Sequence, residues 1–138
     1  IRAGTESIHD IVGLDEALSL SYQNLEKDNS YIMDLKSYFI SQLDINIPGV
    51  KFNGACSDFI NSTYTLVNIC LPVSSTSAPM FLFQLDLKGI ACSKGSACQS
   101  GSGKGSHVLS EILNDNDMNK PSIRFSDNRH SFAAYRIV

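Results

Sequence analysis

The chain has little net charge and no long apolar run, and each of these two features argues against one class of partner. Its 138 residues carry 11 basic and 14 acidic side chains, a formal net charge of -3. Nucleic-acid binding as a main role usually requires a basic face, so this balance argues against it. The longest apolar run, at Met80–Phe83, is broken by Gln84 and Asp86 and is far short of the roughly 20 residues that span a bilayer. We therefore expect neither a nucleic-acid nor a membrane partner.

A secretory signal is also absent, and cysteines are few. The chain starts without an initiator methionine or a signal-peptide pattern and stops in mid-element, which indicates a piece of a longer protein. Two disulfides among its cysteines are an alternative, but reduced thiols fit better because a chain of this size needs no covalent staples. The four cysteines lie far apart, at Cys56, Cys70, Cys92 and Cys98.

The spacing of apolar and turn residues predicts helices and strands interleaved along one domain. Hydrophobic residues make up 43% of the chain, which is enough to build a core. Helical spacing predicts helices over residues 8–26, 28–43, 79–87 and 106–113, and another that begins near Ser131. Apolar runs predict strands over residues 50–53, 64–71, 90–92 and 121–126, with 64–71 in the centre. A capping box at Ser7–Asp10 is expected to open the first helix, and residues 114–120 are predicted to form a polar turn.

The expected fold class is α/β, in the form of an α+β two-layer sandwich. A short sheet is expected to have helices packed on one face, because interleaved elements of this length can bury their apolar sides only against each other.

A loop of glycine, serine and alanine surrounds Cys98. The segment from Ser93 to Gly105 has few side chains that could pack a core or shield a sulfur. Such a loop gives a thiol the access that a nucleophile needs, and the nearby Lys94, Lys104 and His107 favour the thiolate. The alternative, which the local residues leave open, is a plain surface loop with an incidental cysteine.

Two other functions for this loop do not fit the spacing. Cys92, Cys98 and His107 follow a C-x5-C-x8-H pattern, which differs from zinc-finger and zinc-ribbon spacings, so no metal site is predicted. A Gly-Lys pair at residues 103–104 is similar to the end of a phosphate-binding loop. However, Cys98 stands at its first glycine position, and Gly105 stands where a serine or threonine is required.

Arg124 and Thr5 are the other two candidates for chemistry. Arg124 lies in a predicted strand, where an arginine is usually a solvated or ion-paired surface residue; the functional alternative is a bidentate clamp on a carboxylate. Thr5 follows Gly4 just before the first helix, where a hydroxyl and free backbone N–H groups suit an anion such as phosphate. A plain N-terminal cap is the simpler interpretation of Thr5.

Three segments, taken in order, resemble one family. They are Arg2-Ala3-Gly4-Thr5 before a helix, Gly95-Ser96-Ala97-Cys98 in the small-residue loop, and Ser122-Ile123-Arg124-Phe125-Ser126 in a late strand. Ser106-His107-Val108-Leu109 after the loop is also similar. In this order and spacing the segments resemble the cysteine desulfurases, which belong to the pyridoxal-phosphate-dependent class V aminotransferase superfamily. The long cysteine loop resembles the branch that serves general and nitrogen-fixation iron–sulfur assembly.

The resemblance covers residues 2–130 and corresponds to the C-terminal part of that family. It implies a connecting, dimer-contact helix segment over residues 1–30 and a small C-terminal domain over residues 31–138, with the catalytic-cysteine loop at 93–106. The family's large domain carries the lysine that bonds pyridoxal phosphate, in a His-Lys pair that this sequence lacks. We therefore expect pyridoxal 5'-phosphate in the full-length enzyme, but no bound cofactor and no activity in this chain alone.

The resemblance also assigns a role to each of the three candidates. Cys98 matches the nucleophile that takes the sulfur of L-cysteine as a persulfide and leaves L-alanine. Arg124 matches the arginine that binds the substrate carboxylate, and Thr5 matches the threonine that reaches the cofactor phosphate of the other subunit in a homodimer. The expected partner is a sulfur-acceptor or scaffold protein of iron–sulfur cluster assembly or thiolation, in the cytoplasm.

Two other functions stay open. The piece by itself is also consistent with a non-catalytic sulfur carrier or partner-docking domain that lacks the cofactor. A selenocysteine lyase-type relative would use the same kind of cysteine on a different substrate.

Overall fold

The computed structural model describes residues 4–74, 78–94 and 106–127. Its first element is a single helix of 39 residues, α1 (Ile8–Asn46), where the sequence pattern predicts two helices. The predicted break near Asp28 is wrong because residues 14–47 contain neither glycine nor proline, so nothing interrupts the backbone hydrogen bonds. The helix ends before Pro48, as expected for residues that precede a proline.

The start of α1 is at the predicted place, but the predicted capping box does not form. Ser7 is the N-cap, and its hydroxyl donates to Oδ2 of Asp10 at 2.6 Å without a side-chain hydrogen bond to the helix backbone. An aspartate is one methylene shorter than the usual glutamate, so its carboxylate meets the hydroxyl instead of reaching the backbone N–H of Ser7.

The sheet consists of three antiparallel strands, in the spatial order β1 (Lys51–Phe52), β2 (Leu66–Cys70) and β3 (Ser122–Ser126). The predicted central strand is therefore confirmed. Val67 pairs with Phe125 and Ile69 with Ile123, which places these four side chains on one face of the sheet. The alternate residues of β2 and β3 point to the opposite face.

Among the described residues, three shorter helices follow α1: α2 (Ala78–Leu87), α3 (His107–Ile112) and α4 (Asp115–Met118). The predicted Ser106 cap of α3 is confirmed, since its hydroxyl accepts from the N–H of Leu109 at 3.3 Å. The predicted polar turn is instead α4, because Oδ1 of Asn114 accepts from the N–H of Asp117 at 2.9 Å and caps a turn of helix. Within the described ranges, each helix is too short or too polar to cross a membrane.

The strand predicted over residues 90–92 is not formed. After α2 the N–H of Ile90 donates to the carbonyl of Leu85 at 2.9 Å, so this backbone is still engaged with the end of the helix. Pairing with the sheet begins only at Ser93, which forms an isolated antiparallel bridge with Arg124. The prediction of the last helix near Ser131 lies outside the described residues.

The core lies between the apolar face of the sheet and helices α1 and α2. Phe39 of α1 contacts Phe125 of β3 edge-to-face, with ring centroids 5.0 Å apart and an interplanar angle of 76°. Phe81 and Leu85 of α2 pack against the same cluster. This is the predicted α/β class, a short sheet with helices packed on one face.

A buried lysine joins α1 to the connection between β1 and β2. The Lys36 side chain is fully buried, and its Nζ donates to Oγ of Ser62 and to the carbonyl of Thr63, both at 2.8 Å. The ammonium also lies 5.7 Å from the ring centroid of Phe59. Burial lowers the pKa of Lys36. The two acceptors and the aromatic ring replace the hydration that the ammonium loses on burial.

A buried carboxylate joins α4 to β1. Asp117 accepts from Lys51 Nζ at 2.6 Å and from Lys120 Nζ at 3.0 Å, and Asn114 donates to it at 3.1 Å. The hydrogen bond from Lys51, followed by that from Lys120, lowers the pKa of Asp117 to about 2. The contact fixes α4 at the end of the sheet where Lys51 pairs with Cys70.

The central strand should dominate the stability of this fold. Ile69 is only 2% exposed, and Ile69→Ala is expected to lower the free energy of unfolding by about 2–5 kcal/mol, because it leaves a cavity in the core. Ile60 is 92% exposed, so Ile60→Ala should change that energy by about 0.5 kcal/mol or less. Urea denaturation of both variants measures the contrast, and equal losses would contradict the assignment of the core.

The contribution of Asp117 should depend on pH. Its folded-state pKa of about 2 lies below the ordinary 3.8, so its stabilisation is present above that ordinary value and is lost as the pH falls through the folded value. Asp117→Asn is therefore expected to be less stable than the wild-type chain at neutral pH and to converge with it in acid. Denaturant titrations along a pH series measure the difference, and a constant gap at every pH would exclude this explanation.

Candidate functional site

Arg124 lies on the face of the sheet opposite the helices α1 and α2. Its neighbours in β3, Ile123 and Phe125, are buried in the core, so the alternation of the strand directs Arg124 to the other side. The backbone of Arg124 is held on the outer edge of the sheet by Ser93. The N–H of Arg124 donates to the Ser93 carbonyl at 2.8 Å, and the Ser93 N–H donates back at 3.0 Å.

The guanidinium of Arg124 contains a buried donor, Nε, that lacks an acceptor in the part of the chain that the structure describes. Among the described residues, no hydrogen-bond partner reaches its Nε, although that atom is inaccessible to water. A buried, unsatisfied N–H is costly, and native structures contain few of them. The residue as a whole is only half-buried, so part of its side chain stays accessible, and a carboxylate is the ligand that matches the planar guanidinium fork.

The loop predicted to carry the nucleophile is anchored beside Arg124. Cys98 lies outside the described residues, but Ser93 before it is paired with Arg124. Cys98 follows Ser93 by five residues in the sequence. On the far side of the loop, Ile112 of α3 approaches Gly54, which follows β1; its Cδ1 lies 3.7 Å from the point where a Gly54 Cβ would stand.

The three described cysteines are free thiols. Burial raises the pKa of Cys70, and burial together with Asp86 raises the pKa of Cys92. Cys56 is buried, and its thiol donates to the Asn68 carbonyl at 3.1 Å. A raised pKa disfavours the thiolate, so Cys70 and Cys92 are unsuited to nucleophilic attack at neutral pH.

The sequence interpretation missed a polar network beside Arg124. Asn53 Nδ2 donates to Oδ1 of Asn68 and to Oγ of Ser122, both at 2.9 Å, across all three strands. Asn68 pairs directly with Arg124 in the sheet register. One signal was available, because Asn68 is the only polar residue between Leu66 and Cys70, and a lone amide in a central strand indicates a specific partner.

Thr5 is not brought near Arg124 within this chain. It is exposed and lies two residues before the N-cap of α1, and 24 helical residues, about 36 Å, separate Ile8 from Ile32, the first buried residue of that helix. The hydroxyl of Thr5 has no hydrogen-bond partner among the described residues. An exposed hydroxyl at a helix start, next to Gly4, fits a phosphate oxygen. Over the described ranges, no cluster of three potential metal ligands exists.

Comparison with known proteins defines the class of this chain. Residues 1–135 match the family model of the class-V aminotransferases, and the chain therefore belongs to that family, which depends on pyridoxal phosphate. Within the family, the chain is 34% identical over 125 residues to the cysteine desulfurase IscS of Dictyoglomus turgidum. It is 36% identical over 126 residues to the putative cysteine desulfurase IscS 1 of Bacillus subtilis. Each alignment covers 91% of this chain, but only 30% and 32% of the two relatives.

Two further matches extend the comparison. A mitosomal cysteine desulfurase of Trachipleistophora hominis is 33% identical over 129 residues, which are 94% of this chain and 29% of that protein. The X-ray structure of a NifS-like protein from Rickettsia africae superimposes with a TM-score of 0.69 at 23% identity, over 96% of this chain and 32% of that one. The structural match shows that the fold is shared. The chain spans about a third of the length of the proteins it matches.

The buried Lys36 and the half-buried Arg124 should respond differently to neutral replacement. Arg124→Gln is expected to keep the free energy of unfolding within about 1 kcal/mol of the wild type, because no described hydrogen bond of its Nε is lost. Lys36→Gln breaks two hydrogen bonds from a charged group and should cost more, about 1.5–3 kcal/mol. Thermal and urea denaturation compare the two, and a larger loss for Arg124→Gln would indicate a structural role.

Proposed function

We propose that this chain is part of a pyridoxal-phosphate-dependent cysteine desulfurase, which converts L-cysteine to L-alanine and an enzyme-bound persulfide. The observation that carries this proposal is the buried Nε of Arg124, which has no hydrogen-bond partner among the described residues and lies on the strand with which Ser93 pairs. An arginine that can bind a carboxylate and a cysteine that can act as nucleophile are what an amino-acid substrate with a reacting sulfur requires.

In this proposal the chain supplies two groups to the substrate. Arg124 binds the carboxylate and fixes the orientation of L-cysteine. The Cys98 thiolate attacks the substrate sulfur, the carbon–sulfur bond breaks, and the sulfur stays on Cys98 as a persulfide. The substrate carbon keeps the electron pair and takes up a proton, which gives L-alanine. Pyridoxal phosphate, when bound, supplies the electron sink that makes the carbon–sulfur bond labile.

The composition of the loop supports transfer of the sulfur to an acceptor. The nucleophile has to be at the buried substrate in one step and at the protein surface in the next. Glycine and serine from Ser93 to Gly105 impose few backbone restrictions and allow this movement. We propose a sulfur-acceptor or scaffold protein of iron–sulfur assembly or thiolation as partner. Action in the cytoplasm stays a prediction, since one relative is named as mitosomal.

The two predicted regions of the chain have different roles in the proposed enzyme. Residues 1–30 form the connecting and dimer-contact segment, and residues 31–138 form the small domain. Burial along α1 supports this division, because its first buried residue is Ile32, whereas Ile8 and Tyr22 are 69% and 70% exposed. Thr5, remote from Arg124, would bind the cofactor phosphate of the other subunit of the homodimer. The lysine that bonds the cofactor would come from the large domain, so this chain alone is expected to be inactive.

Replacement of Cys98 in the full-length protein tests the proposal. Cys98→Ser is expected to abolish persulfide formation and alanine release from L-cysteine while the cofactor absorption band persists. Cys92→Ser is the matched control and should keep both activities, because burial raises the pKa of that thiol and makes it a poor nucleophile. Mass spectrometry of the protein and an alanine assay measure the outcome. Undiminished alanine release by Cys98→Ser would refute the role of Cys98.

A further inference from the structure

The backbone geometry places the Asn68 and Arg124 side chains unusually close. The Asn68 carbonyl accepts from the N–H of Asn53 at 2.9 Å and from the Cys56 thiol at 3.1 Å, so it points toward β1. The N–H and carbonyl of Arg124 both bond to Ser93, on the other edge. Asn68 and Arg124 are therefore a non-hydrogen-bonded antiparallel pair, in which Cα atoms are about 4.5 Å apart and side chains are nearest.

The amide of Asn68 is oriented by its neighbours. Its Oδ1 accepts from Asn53 Nδ2 at 2.9 Å, and the second N–H of the same Asn53 amide goes to Ser122 Oγ at 2.9 Å. The oxygen of the Asn68 amide is thus committed to the network. Its NH₂ group carries two donors, and neither has an acceptor among the residues that the structure describes.

We propose that Asn68 is a second carboxylate-binding residue of this site. Its NH₂ donates a hydrogen bond to the same carboxylate that Arg124 binds. The inference rests on the proposed function, because it presumes a carboxylate at Arg124. Two oxygens offer about four lone pairs, of which a bidentate guanidinium uses two, so an adjacent amide donor finds a free acceptor. The neutral amide also forms no ion pair with the guanidinium, whereas an anion at position 68 would compete with the carboxylate for it.

Substitution of Asn68 in the full-length holoenzyme tests this assignment. Asn68→Asp keeps the shape but replaces the donor by an anion, and should raise the KM for L-cysteine about tenfold or more, with little change in kcat. Asn68→Ala removes the donor without adding charge and should raise KM less. Asn29→Asp, on an exposed position of α1, makes the same charge change away from the sheet and should leave both constants unchanged.

Binding measurements separate the role of Asn68 from a general loss of structure. L-alanine carries the carboxylate that ethylamine lacks. Calorimetry should show that Asn68→Asp lowers the affinity for L-alanine and leaves the affinity for ethylamine unaltered. Thermal denaturation checks that the variants fold. Equal weakening for both ligands, or a fall in kcat with constant KM, would overturn the proposal.

Arg124→Ala, measured in parallel, distinguishes failure of this inference from failure of the proposed function. If Arg124→Ala leaves the affinity for L-alanine unchanged, the site does not bind a carboxylate and both proposals fail. If Arg124→Ala lowers the affinity for L-alanine and neither Asn68 variant lowers it, only the assignment of Asn68 is wrong.

Discussion

The antiparallel register of β2 and β3 is the constraint on which the rest of the structure depends. It pairs Val67 with Phe125 and Ile69 with Ile123 on one face, and Asn68 with Arg124 on the other. A shift by one residue would turn the apolar set to the solvent and bury the arginine in the core. The same pairing therefore builds the hydrophobic core and directs the candidate carboxylate site away from it.

The charged side chains Lys36, Asp117 and Arg124 differ in how their polar atoms are hydrogen-bonded. Lys36 and Asp117 have acceptors and donors at hydrogen-bond distance, and each ties a helix to the rest of the fold. Arg124 lies in the same small structure with a buried Nε that has no partner in the described parts. The first two contribute to stability. The third is costly to the isolated fold, and a ligand that completes it would recover that cost.

The two halves of the long helix α1 differ in burial. From Ile32 onward one side of the helix is buried against the sheet, whereas apolar side chains such as Leu14 and Leu18 are 68% and 53% exposed. Apolar exposure of this kind marks a surface that packs against protein.

Local patterns in the sequence were sufficient for most elements of the fold. The alternation in residues 121–126 and the apolar run in 64–71 predicted β3 and a central β2, and Ser106 predicted the start of α3. The errors occurred where no local residue decides. Asp28 or Asn29 can cap a new helix or continue an old one, and only the absence of glycine and proline from residues 14–47 favours continuation. The residues at 90–92 have strand propensity, but the N–H of Ile90 is hydrogen-bonded to the carbonyl of Leu85 at the end of α2.

For the candidate site as well, some residues could be identified from the sequence and others only from the structure. Order and spacing of three short segments were enough to identify Cys98, Arg124 and Thr5 as candidates and to indicate the family. The sequence by itself thus determined which chemical groups are present and which elements carry them, because propensity and turn chemistry act over a few residues. Only the tertiary structure decided that Asn68, 56 residues before Arg124 in the sequence, lies beside it. Strand register is set by packing between distant segments, and no local pattern encodes that pairing.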